Sequence, residues 1–339
     1  MLLVSFSSKN RIEYKIAKEL AFALKFNFEV KHVNYTKFNV LNLFQLLREV
    51  FFAKSLVVTS PLIFCFCFVF FAKLLRKRVF LFYWDFYPVT LNGKRFDKSL
   101  RRRIFDWIEG IALTMCDSIV IPSNDFSCYL SDMSFKYINF WPKPTYVGQK
   151  NTTKDLTIKD LTISTKPDVM TIVFSGSIND TRGLLECYRF LKAHVIEEFQ
   201  LIIASQTALP KNLEGLENLI YLGDVDNVEL SALLSFADFG LVSLSKKFDG
   251  PAFPSKTFDY LKFGLPILYF GPKYIHYTSV LLDSGVGIEL EDGVRISKEI
   301  SKNIKRSYEN KFDYFASEFC LNEKSEKSLN EYFKETSEV

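Results

Sequence analysis

Histidine is nearly missing from this chain. Its three copies, His32, His194 and His276, are too scattered in sequence to suggest a zinc site. The six cysteines, at positions 65, 67, 116, 128, 187 and 320, include no C-x-x-C pair. They read as reduced core residues of a cytoplasmic protein. There is no G-x-G-x-x-G dinucleotide fingerprint and no Walker loop, and no carboxylate pair is placed as a glycosidase would need. With 14 Gly and 11 Pro in 339 residues, the chain is neither linker-rich nor collagen-like. The most apolar window, 61–75, is broken by Lys73 and falls short of the roughly 18–20 residues a membrane span needs, so it reads as a buried helix. The opening run 1–6 lacks a basic n-region and reads as a strand rather than a secretion signal.

Apolar residues are plentiful: 48% of the chain is hydrophobic, with 35 Phe and 16 Tyr, enough for two cores. In the front half, short apolar runs at 2–6, 55–59, 78–84 and 117–121 alternate with helical patterns, among them 11–26, where Ile12, Ile16, Leu20 and Ala23 share one face. Repeated βα units of this kind predict a doubly wound parallel sheet. The pattern stops at Trp141-Pro142-Lys143-Pro144. A polar stretch follows, in which Lys154-Asp155-Leu156-Thr157-Ile158 recurs as Lys159-Asp160-Leu161-Thr162-Ile163, and it reads as slack between domains. Alternation resumes at Met170 and runs to a charged, helical end. The expected organisation is α/β: a Rossmann-like domain over 1–145, a linker over 146–168 and a second Rossmann-like domain over 169–310. Residues 311–339 are charged and helical, and Phe312, Tyr314, Phe315, Phe319 and Tyr332 need burial, which is expected against the first domain. Ligands of such sheets bind at the carboxyl ends of the strands, here in a cleft between the domains.

The charge is uneven. Residues 1–145 hold 21 Lys+Arg against 11 Asp+Glu, and the remainder 22 against 28. The clusters Arg76-Lys77-Arg78 and Arg101-Arg102-Arg103 lie beside apolar helices, so the basic half suits an anionic surface; plain solvation is the alternative. No nucleic-acid-binding module accompanies the charge.

The densest signal is the stretch from Asp249 to Pro266. A loop with two prolines meets a helix at Pro254 and Ser255, where unpaired N–H groups and Lys256 favour an anion. Asp259 projects from the same face as Ser255, one turn deeper. A phosphate at the tip with a ribose hydroxyl on Asp259 fits this spacing; so does an ordinary capped helix with a solvated Asp259.

The run Pro254-Ser255-Lys256-Thr257-Phe258-Asp259-Tyr260, then Gly264-Leu265-Pro266, resembles the P-S-K-x-x-E-Y … G-x-P signature of retaining GT-B glycosyltransferases of family four. Tyr221-Leu222-Gly223-Asp224 with Ala237-Asp238-Phe239-Gly240-Leu241-Val242 is similar to its L-G … A-D-x-x-L-V segment. Phe174-Ser175-Gly176-Ser177 before Arg182-Gly183 is similar to its glycine loop, and Trp84-Asp85-Phe86-Tyr87-Pro88 to its H-D-x-x-P strand end. The resemblance implies two domains facing a cleft and transfer of a sugar from a UDP- or GDP-sugar donor to a glycan or lipid-linked acceptor in polysaccharide biosynthesis. Arg182 and Lys256 would face the donor diphosphate, with Ser255 at the helix tip. Gly176 and Ser177 would let the diphosphate approach, and the base would lie near Gly223 and Asp224. Asp259 matches the ribose-binding glutamate, and Asp85 is the polar residue left at the front-domain site, so Asp85, Arg182 and Lys256 are the catalytic candidates. No metal and no other cofactor is implied. Asp224-Val225-Asp226 is a D-x-D, the metal–nucleotide motif of the other large glycosyltransferase fold, but it sits where Asp226 or Asn227 would cap a helix. Relatives often work at the inner membrane surface, so a cytoplasmic, peripheral location is expected. Two departures, Pro251 where many relatives carry an acid and Trp84 in place of histidine, keep a non-catalytic binding subunit as an alternative. A nucleotide-sugar epimerase is another.

Overall fold

The computed structural model describes residues 1–5, 12–25, 27–34, 40–59, 65–84, 90–92, 94–95, 98–130, 133–147, 156–158, 161–163 and 169–335. They form two units. The first takes Met1–Lys143, Gly250–Phe253 and Ser317–Val339, and the second Pro144–Asp249 and Pro254–Ala316.

In the first unit, β1 (Leu2–Ser5), α1 (Ile12–Lys25), β2 (Lys31–Asn34), α2 (Val40–Phe52), β3 (Ser55–Thr59), α3 (Phe66–Leu74) and β4 (Arg78–Phe82) follow in βα order. A hairpin, β5 (Thr90–Leu91) and β6 (Lys94–Arg95), precedes α4 (Leu100–Thr114), β7 (Ser118–Ile121) and β8 (Phe135–Tyr137). The main sheet runs β2-β1-β3-β4-β7-β8, every pair parallel. Right-handed crossovers put α1 on one face and α2, α3 and α4 on the other, with α3 touching both neighbours. Strand alternation serves both faces. Leu2, Val4, Leu56, Val58, Val79 and Leu81 pack under α2, α3 and α4 with Leu46, Phe68, Val69 and Ala112. On the opposite face, Phe80 meets Phe333 at 4.4 Å between ring centroids and Phe82 meets Phe140 at 5.1 Å.

The second unit repeats the plan with β11 (Met170–Ser175), α5 (Leu184–His194), β12 (Phe199–Ala204), β13 (Leu219–Gly223), α6 (Asn227–Phe236) and β14 (Phe239–Ser243). It continues with α7 (Lys256–Lys262), β15 (Ile267–Phe270), α8 (Ile275–Ser284), β16 (Gly287–Glu289) and α9 (Lys298–Lys305). Its order is β13-β12-β11-β14-β15-β16, again wholly parallel. The chain moves outward from β11 through β12 to β13, then returns to β11's other side as β14. The order therefore reverses between β11 and β14, and that is where open α/β sheets bind ligands.

Three expectations are corrected. The tandem repeat is not slack: its two Leu-Thr-Ile copies pair as an antiparallel ribbon, β9 (Leu156–Ile158) with β10 (Leu161–Ile163). The apolar helix α3 is buried only on its inner side, and Phe70 and Leu74 face solvent. Its expected start at Pro61 lies outside the described residues. Cys67 and Cys128 are likewise exposed, while Cys65, Cys187 and Cys320 are buried.

The stretch 311–339 also divides. In α10 (Tyr308–Phe319), Phe312 meets Tyr146 and Phe315 meets Phe258 and Tyr277, all within the second unit. From Ser317 the chain belongs to the first unit, where Phe319 meets Phe253 and Leu321 N–H donates to the Trp141 carbonyl. One amphipathic helix thus serves both cores. The last helix, α11 (Glu323–Glu335), packs beside α1, with Asn330 donating to the Ala23 carbonyl at 3.3 Å.

Phe333 is 0% exposed and also meets Phe28 at 6.2 Å. Phe333→Ala should cost about 3–5 kcal/mol of stability, because a large side chain is lost where several aromatic rings meet. Denaturant unfolding of the first unit's signal checks it.

Candidate functional site

Two loops cross at the carboxyl ends of β11 and β14. After Ser175 the chain passes Gly176 and Ser177, makes a short 3-10 turn at Asp180–Arg182 capped by Asn179, and enters α5 through Gly183. The Arg182 carbonyl accepts from Ser243 Oγ at 2.6 Å, and Ser245 N–H donates to the Thr181 carbonyl at 2.8 Å. Gly183 has φ +58°, and a Cβ there would lie 2.7 Å from the Ser245 Cα. Only glycine lets the loops run this close. Arg182 is thereby held at the switch point by its own backbone.

The helix α7 supplies the other side. Thr257, Phe258, Tyr260 and Leu261 are buried, while Lys256 and Asp259 face outward and pair at 2.8 Å. Tyr260 is 0% exposed. Its hydroxyl accepts from the Ser175 N–H at 2.9 Å and donates to the Leu241 carbonyl at 3.2 Å, joining β11 to β14. Its ring lies on Gly240, where a Cβ would come 2.4 Å from Cγ. Thr257 shares a 2.6 Å hydrogen bond with the Tyr277 hydroxyl beneath.

The electrostatics follow. Burial pulls the Arg182 guanidinium below its ordinary pKa, opposed by nearby Tyr260. Its Nε is buried and makes no hydrogen bond among the described residues; neither does Ser175 Oγ. Burial also acts against the Lys256 charge, but Asp259's charge and hydrogen bond outweigh it and the pKa is raised, with Arg182 working against this. Two cations therefore share one end of the sheet, and a single carboxylate answers one of them. That arrangement attracts an anion.

Of the sequence-predicted residues, Arg182, Ser255, Lys256 and Asp259 come together here with Gly176 and Ser177. Gly176 N–H donates to the Ala204 carbonyl at 3.1 Å, and Ser177 beside it is exposed. Ser255 makes no side-chain cap bond. Gly223 accepts from the Ser205 N–H at 2.8 Å at the end of β13, two strands away, with Asp224 exposed beyond it. Asp226 is the N-cap of α6, its Oδ1 accepting from Val228 and Glu229 while Glu229 closes a capping box. Asp85 lies outside the described residues. Trp84 is 6% exposed and packs near Phe140. Sequence reasoning missed Tyr260, Gly240 and Ser243; the one signal was the motif tyrosine, whose partners lie on strands distant in sequence.

No family model matches the chain, and no curated protein matches it. Solved structures do. The sucrose-phosphate synthase of Thermosynechococcus elongatus superposes with TM-score 0.60 at 11% identity, covering 99% of each chain. AviGT4, a glycosyltransferase of avilamycin A biosynthesis, gives 0.54 at 11% identity, covering 100% of this chain and 97% of that one. The lipopolysaccharide outer core galactosyltransferase WaaB gives 0.53 at 11%, covering 99% and 100%. The fold is GT-B, two Rossmann-like parallel-sheet domains.

Tyr260→Phe should cost about 1–3 kcal/mol, because the buried Ser175 N–H loses its acceptor while the ring still fills its place. Gly240→Ala should cost more, since the ring cannot yield. Chemical denaturation of both variants checks the order.

Proposed function

We propose that the chain is a glycosyltransferase that moves a sugar from a nucleoside-diphosphate donor to a hydroxyl of a glycan or lipid-linked acceptor. The observation that carries this reading is the gathering of Arg182, Lys256 and Asp259 at the β11/β14 switch point, on a fold shared with enzymes named for sugar transfer. Arg182 and Lys256 take the diphosphate and oppose its charge as the sugar–oxygen bond breaks. Asp259 turns from Lys256 to a ribose hydroxyl when the donor enters. Gly223 and Asp224 border the base. The acceptor hydroxyl arrives on the face the diphosphate leaves, so configuration is retained, and Asp85, the polar residue left at the front-domain motif by the resemblance, is the candidate to serve it. The two cations replace a metal, and the only D-x-D is engaged in a helix cap. The buried Trp84, at the family's histidine position, favours one second reading, a subunit that binds donor without turnover. Hydrolysis or transfer of any nucleotide sugar excludes it, and release of a free epimer identifies an epimerase.

Lys256→Ala should weaken UDP or GDP binding roughly ten- to over a hundred-fold, the worth of one charge-assisted phosphate contact. Asp259→Ala should cost more than Asp259→Asn, which keeps an acceptor oxygen. Titration calorimetry beside melting temperature checks both. Unchanged affinity in folded Lys256→Ala and Asp259→Ala variants removes this site.

Transfer should survive chelation by EDTA. Full loss restored by manganese contradicts the metal-free reading.

A further inference from the structure

The helices α2, α3 and α4 lie side by side on one face of the first sheet. The outer side of such a layer is ordinarily polar. Here it is apolar on all three. In α2, Phe44 and Phe52 are two turns apart on the outer stripe, and Phe52 is 71% exposed. In α3, Phe70 and Leu74 continue the stripe, and in α4 Ile104 and Trp107 complete it, with Trp107 67% exposed. Isolated exposed apolar residues need no explanation, but aligned stripes on three neighbouring helices mark a surface that meets something apolar.

The charges beside the stripes have one sign. Arg48, Arg76, Arg101 and Arg103 are exposed. The acids turn inward: Asp106 pairs with Arg102 at 2.9 Å, Glu109 is buried, and Glu49 pairs with Lys31. Among the described residues from 40 to 117 the one exposed carboxylate is Asp117, and Lys73 of α3 holds it at 2.7 Å. The basic clusters noted in the sequence are partly consumed internally, Arg102 by Asp106, and Lys77 by the Phe51 and Ala53 carbonyls. What remains outside is aromatic and cationic.

We propose that this α2–α3–α4 face docks on an anionic lipid surface, with the aromatic stripes entering the acyl boundary and the arginines meeting the headgroups. The combination of Trp, Phe and Leu with flanking Arg is that of an interfacial surface. A second copy of the chain fits less well, since a self-complementary contact would set arginines against arginines. Among the described residues no helix is long and apolar enough to cross a membrane, so the contact is with the surface. The surface lies within the first unit, and the residues of the proposed donor site belong to the second.

The chain carries its own probe. Of its three tryptophans, Trp84 and Trp141 are buried and Trp107 is exposed. Adding phosphatidylcholine vesicles that contain phosphatidylglycerol to the full chain should shift the emission to the blue and carry the protein down on sedimentation. Trp107→Phe should abolish the shift and keep the sedimentation. The triple variant Phe52→Ser, Phe70→Ser, Ile104→Ser, at outward positions and checked by melting temperature, should weaken vesicle partition on the order of a hundredfold or more. Arg101→Gln with Arg103→Gln should reduce it and flatten its salt dependence. No blue shift, equal binding to pure phosphatidylcholine, or a folded triple variant that still sediments overturns the proposal. So does a blue shift without lipid that grows with protein concentration and vanishes in the triple variant, which assigns the face to a second copy.

Discussion

One hydroxyl holds the second unit's working end together. Tyr260 reaches from α7 under two strands and joins the Ser175 N–H of β11 to the Leu241 carbonyl of β14. These strands flank the point where the sheet's order reverses, and their loops carry Arg182 on one side and Ser243 and Ser245 on the other. The hydroxyl works only because Gly240 leaves room for the ring. Lys256 and Asp259 then take their places as the outward neighbours of a fixed residue. A flexible loop bearing the same cations would have to be ordered by each incoming anion, at an entropic cost that a braced loop has already met during folding.

Much of this was legible in the sequence, for a physical reason. Parallel strands covered on both faces are continuous apolar runs, so the strands of both sheets stand out between helical patterns. The Asp226 cap is local and was readable from Asp-x-x-Glu alone. The outer face of α3 was not readable, because Phe-Cys-Phe-Val-Phe-Phe-Ala is apolar all round and no periodicity says which side is covered. Nor was the division of α10 visible, where Phe315 and Phe319 lie one turn apart yet pack into different cores. The partners of Tyr260 depend on how β14 registers against β11, a matter of sheet assembly and not of any local motif.

The two faces of the first sheet are finished differently. One is covered by three helices drawn from between consecutive strands. The other takes α1 and a helix from near residue 330, with Phe333 set among Phe28, Phe80 and Phe82. Gly250–Phe253 joins the same unit from within the second unit's stretch of sequence, and Phe253 lies between Trp141 and Phe319. The first core is therefore assembled from three separated pieces of chain, the second from two.

That assembly has a consequence for synthesis. A ribosome delivers the strands of the first sheet early, but the ring that fills their second face is residue 333. Until that residue leaves the exit tunnel, Phe80 and Phe82 have no cover from α11. The second sheet has every strand and nearly every packing helix before then, so it can close first. The half whose strands are made first is thus completed only after every strand of the second sheet, and until residue 333 is made Phe80 and Phe82 lack the ring that meets them both.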